Sequence, residues 1–107
     1  VNTRYIETFL FNEVAARKEI KHVVLICTAT NFIDTSGLEM LELLQDNLAE
    51  VGVTLHLAEV KGVVMDKLKE TDFYANMQGQ VYFTTDIAMK DIAMKDIAMK
   101  DLADRVL

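Results

Sequence analysis

The chain has 107 residues, 51% of them hydrophobic, with no proline, four glycines and a formal net charge of −6. This composition describes one domain with a packed core, not a disordered segment. The acidic balance leaves no basic patch to neutralise phosphates, which excludes nucleic acid as a partner and weighs against an anionic membrane surface.

Asn2 or Thr3 caps a helix predicted to run to about Glu19, with Ile6, Phe9, Leu10 and Val14 on one face. His22–Thr28, "HVVLICT", is a continuous apolar run suited to a central strand covered on both faces. Cys27, the single cysteine, lies inside it and reads as a buried, reduced thiol of a cytosolic protein. With one cysteine and two histidines far apart in sequence, zinc has no ligand set.

After the turn Asp34-Thr35-Ser36-Gly37, a helix is predicted from Gly37 to about Glu50, with Leu38, Leu41, Leu44, Leu48 and Val51 in one stripe. Gly52 supplies its C-terminal stop. Val53–Val60 alternates as a strand, and Lys61–Glu70 carries the helical row Val60, Val64, Leu68. Gly79–Thr85 is a short last strand, and from Asp86 the pattern is helical to the end. The alternating order α-β-α-β-α-β-α implies a largely parallel sheet.

The terminal segment repeats "DIAMK" three times, Asp86 to Lys100, and then reads "DLADR". Each acid stands four residues before a base, the favourable helical orientation. A five-residue period advances about 140° per unit, so Ile87, Ile92, Ile97 and Leu102 do not share a helical face. Residues 95–107 are therefore expected to form a helical extension beyond the domain of residues 1–94. It would be either a docking helix or a repeat expansion tolerated at a terminus.

The turn Asp34–Gly37 has four chemical readings. A nucleophilic serine needs a base, and neither His22 nor His56 is brought to Ser36 by the predicted topology. A phosphate cradle would need more glycines and a lysine. A capping box, with Ser36 as N-cap and Glu39 three residues on, accounts for the serine structurally at about 1 kcal/mol. Phosphorylation of an N-cap serine would add about −1.5 to −2 charges, welcomed by the helix dipole and repelled by Asp34.

The ordered set in "NFIDTSGLEMLELLQDNLAEVGVTLHLAEVKGVVMDKLKETDFY", with "VYFTTDIA" after it, resembles a STAS domain, the sulfate-transporter and anti-sigma-factor-antagonist module. The resemblance implies a mixed, mostly parallel α/β sheet with helices mainly on one face. It also implies one or two strands before the first helix, which this chain does not carry; a second chain completing the sheet is one way to supply them.

"NFIDTSGLEMLELL" and "VNTRYIETFL" are most similar to the SulP permease branch, and the start at Val1 reads as a fragment of a longer protein. The resemblance then implies a non-catalytic regulatory domain on the cytoplasmic side of a bacterial inner membrane. Its parent would be a transporter of the sulfate, bicarbonate or dicarboxylate class. Asp34, Thr35, Ser36 and Gly37 would form the recognition turn for the transmembrane part or a cytosolic regulatory protein. No cofactor is implied, apart from a nucleotide contact near that turn. The alternative is a soluble anti-sigma-factor antagonist switched by phosphorylation at Ser36.

Overall fold

The computed structural model describes residues 3–93 and 96–101. Within them the order is α1 (Thr3–Ala16), β1 (His22–Ile26), α2 (Thr35–Glu50), β2 (Thr54–Ala58), α3 (Gly62–Leu68), α4 (Asp72–Ala75), β3 (Val81–Tyr82), α5 (Thr85–Asp91) and β4 (Ile97–Asp101). The four strands form one sheet in the order β3-β2-β1-β4, and every described pair is parallel. The fold is therefore α/β as expected, and all-parallel rather than mixed.

The apolar run in β1 becomes central because both of its faces are covered. Val23 and Leu25 join Leu55, Leu57 and the α1 and α2 side chains Ile6, Leu10, Leu41, Leu44 and Leu48 in the main core. Val24 faces the other way, with Ala58, Tyr82, Ala88, Ile92 and Ile97. Helices α1, α2 and the α3–α4 pair lie over the first face through these contacts and through Leu68 and Phe73; α5 lies over the second. A right-handed crossover that reverses direction across a sheet must change face. The chain walks outward from β1 to β3 with its helices on the first face, then returns to the far edge with α5 on the second.

Two local signals hold. Gly52 ends α2 with φ +78, a conformation that costs glycine nothing. Val64 and Leu68 are buried on one side of α3. The last strand is shorter than expected: β3 is only Val81–Tyr82, because Thr84 and Thr85, read as strand, cap and open α5. The Thr84 hydroxyl accepts from the Ile87 N–H at 3.1 Å. Val51 departs from the predicted stripe: as the C-cap residue it turns outward and is 60% exposed. Met40 is the buried residue that the stripe omitted.

The largest difference lies in the repeat. Its first copy is helical within α5, but its third copy is strand β4, paired in parallel with β1 from His22↔Ile97 to Ile26↔Asp101. The expected helical extension over residues 95–107 is therefore overturned at Ile97–Asp101; residues 94–95 and 102–107 lie outside the described residues. The rotating isoleucine position explains the change. A helix cannot bury residues spaced at five, whereas an extended chain alternates them. Ile97 and Met99 then face α5, while Ala98 and Lys100 face α1. Pairing also satisfies the backbone groups along the edge of β1.

Candidate functional site

The turn after β1 runs from Cys27 to Asp34 and delivers the chain to α2. The helix begins two residues earlier than the capping-box reading has it. Asp34 is the N-cap, and its carboxylate accepts from the Gly37 N–H at 2.8 Å. Ser36 sits inside the first turn and is exposed. The proposed partnership of Ser36 with Glu39 is replaced, because the residue three after the true cap is Gly37, which has no side chain to reach back. The earlier start places Ile33 just before the cap and Leu38 at the fourth helical position, the arrangement of a hydrophobic staple. Both are partly buried against the main core, a gain that a start at Ser36 would forfeit.

Asp34→Ala should therefore cost about 1 kcal/mol, and Ser36→Ala should change stability by less than about 0.5 kcal/mol. Urea denaturation of the two variants checks this; equal losses would return the cap to Ser36.

Behind the turn, at the C-terminal ends of β1 and β2, lies a cavity of about 460 Å³. Its floor and walls are apolar, with Cys27 and Leu57 from the sheet side, Ile6 from α1, Met40 from α2 and Val64 from α3. Thr30, Asn31, Asp34 and Ser36 form the polar mouth. Lys61, the N-cap residue of α3, donates to the Asn31 side-chain oxygen at 2.5 Å and ties the turn to the opposite wall. Phe32 stands out at the rim, 74% exposed. Cys27 is closed off beneath: burial pushes its thiol up to about 12, outweighing the backbone hydrogen bond with Ala58 that opposes the shift. It is a packing residue rather than a nucleophile.

The four sequence-predicted residues Asp34–Gly37 are together at this mouth. The histidines are not. His22 and His56, 34 positions apart in sequence, meet across β1 and β2, with ring nitrogens 2.9 Å apart. They lie on the α5 face, across the sheet from Ser36. His56 Nδ1 accepts from the Gln80 N–H at 3.0 Å, so the proton of this ring is on Nε2 and is donated to His22 Nδ1. The His56 ring lies 5.6 Å from that of Tyr82, whose hydroxyl donates to Asp91 at 2.5 Å. Sequence reasoning missed this cluster. The signal available was parity: His22 and His56 both fall on even positions, and the in-register pairing of β1 with β2 puts those on one face.

A protein-family model described as "STAS domain" matches residues 1–88. The chain belongs to the STAS family. The match covers the turn, the cavity and both core strands. It ends inside α5, so β4 of this STAS domain lies outside it. No curated protein matches the chain. No helix among the described residues is long and apolar enough to cross a membrane.

Proposed function

We propose that this STAS domain is a non-catalytic regulatory module that recognises a protein partner through the Asp34–Gly37 turn, with Phe32 as its anchor. The exposed Phe32 ring at the rim of an apolar cavity carries the reading. A large aromatic held in water beside an apolar recess is the kind of feature that protein contacts concentrate on. Catalysis at Ser36 has little support, since both histidines lie across the sheet from it. A nucleotide contact has little either: among the described residues that line the cavity none is basic, Lys61 beside it is engaged with Asn31, and Asp34 already occupies a first-turn N–H.

The parent protein in this reading is a SulP-type secondary anion transporter, supported by the resemblance of "NFIDTSGLEMLELL" to that branch. The domain would sit on the cytoplasmic side of the bacterial inner membrane. Its partner would be the transmembrane part or a cytosolic regulatory protein. The coding sequence upstream of Val1 tests this. About ten apolar spans of about 20 residues support it, and a start codon within about thirty residues overturns it. Phe32→Ser should leave unfolding stability within about 0.5 kcal/mol but weaken binding to the membrane part at least about tenfold, read by titration calorimetry. Unchanged binding removes Phe32 from the surface.

One observation favours the anti-sigma-antagonist alternative. Ser36 is exposed in the first turn of α2, where a kinase can reach it and the helix dipole accepts a phosphate. Intact mass after incubation with an anti-sigma kinase decides it, and an unmodified Ser36 overturns it.

A further inference from the structure

The third repeat copy is a strand although its sequence does not ask to be one. Ala, Met and Lys are helix formers, and the same five residues are helical in α5. The extended form is therefore imposed by the place the copy occupies. That place is the edge of β1, which belongs to the family-matched region, whereas β4 lies beyond it.

The place has definite requirements. It takes a small side chain under α1, where Ala98 is 4% exposed, and an isoleucine against Val24 and Ala88, where Ile97 is 4% exposed. It takes a long cationic side chain beside α1, where the Lys100 ammonium lies 4.4 Å from the centre of the Phe9 ring. At its N-terminal end, the Lys21 N–H donates to the Asp96 carbonyl at 2.7 Å and Arg17 donates to the Ile97 carbonyl at 3.3 Å. The side-chain seats are those of Ile, Ala, Met and Lys in the order of one unit, and the two carbonyl contacts hold its backbone.

Register adds the second half of the argument. Shifting an ordinary strand by an odd number of residues turns its buried side chains outward. Here a shift of five residues restores the same residue at every seat, because the sequence itself has that period. The β1 edge sees an identical strand whichever copy presents itself.

We propose that the edge of β1 is a strand-docking site specific for the DIAMK unit. It is filled here by the chain's own third copy, which the same unit from a second copy of the chain can replace. Docking adds a parallel strand, with main-chain pairing giving affinity and the alternate side chains giving selectivity.

The test uses the full chain with Ala98→Pro and Met99→Pro together. Consecutive residues in a strand direct their N–H groups to opposite sides, so the pair removes one donor facing β1 in either case. The thermal midpoint should fall by about 10 °C or more. Inserting one further intact unit after Lys100 should restore the midpoint. Adding the peptide Asp-Ile-Ala-Met-Lys-Asp at millimolar concentration to the proline variant should raise the midpoint saturably, while a scrambled peptide should not. If the proline variant does not fold at all, recovery of a folded chain by the inserted unit is read instead. The second repeat copy cannot slip into the edge without pulling Ile92 and the end of α5 out of their packing, so an unchanged midpoint in the proline variant overturns the proposal, as does failure of the inserted unit. Rescue by the inserted unit without rescue by the peptide overturns docking from a second copy.

Discussion

Gly79→Ala is expected to lower stability by about 3 kcal/mol, a fall of about 15 °C in thermal midpoint. A Cβ at this position would lie 2.0 Å from the Leu55 carbonyl oxygen, 2.9 Å from its carbon and 2.8 Å from His56 Nδ1. Two of these atoms are backbone of the second strand from the edge and cannot swing away. The chain must pass this close because the next residue, Gln80, donates its N–H to His56, and its carbonyl accepts from the Leu57 N–H at 3.0 Å. An alanine would push β3, only two residues long, off β2. Gly62 is the control. Its Cβ would meet nothing within 4 Å and it opens α3, so Gly62→Ala should be neutral or stabilising by less than about 1 kcal/mol. Thermal unfolding of both variants checks the pair, and equal midpoints would show that the approach at Gly79 relaxes freely.

The elements that were legible in advance are those whose burial follows from a local period. The run in β1 and the leucine spacing in α2 each point to one environment, and Val23, Val24, Leu25, Leu41, Leu44 and Leu48 are all buried. The Asp34–Gly37 turn was located for the same reason, since a strand pattern ends and a helical one begins there. Its cap was read two residues late, at Ser36 instead of Asp34. Both Asp34 and Ser36 can cap, and what decides between them is the packing of Ile33 and Leu38 against the core, a tertiary effect.

The repeat misled for a stronger version of that reason. Local propensity and the acid–base spacing in "DIAMK" both favour a helix, and they prevail where α5 packs Ala88 and Ile92 on the second face. At Ile97 the edge of β1 outweighs them, and nothing within the pentapeptide signals a partner strand 75 residues earlier, as in His22↔Ile97. The α5-face cluster was hidden likewise: two histidines on separate strands become neighbours only once the β1–β2 register is known.

Acid should destabilise the domain through His56, on the order of 3 kcal/mol in full. The ring is 5% exposed. Burial, and secondarily His22, lower its pKa from 6.5 to about 4, while Asp91 opposes the shift. Because the folded-state value is the lower one, the unfolded chain binds the proton first. Stability is therefore unaffected above about pH 6.5, falls as pH drops from there towards 4, and levels off below. Protonation would also break a hydrogen bond, since it sets two N–H groups, that of Nδ1 and that of Gln80, against each other at 3.0 Å. The strand pairing beside Gly79 would be the first to loosen. Urea denaturation at pH 7.5, 6.5, 5.5 and 5.0 measures the slope in a window where ordinary carboxylates remain mostly ionised. His56→Gln should be less stable at neutral pH but markedly flatter across that window. Equal slopes for the variant and the parent chain would assign the acid sensitivity to other groups.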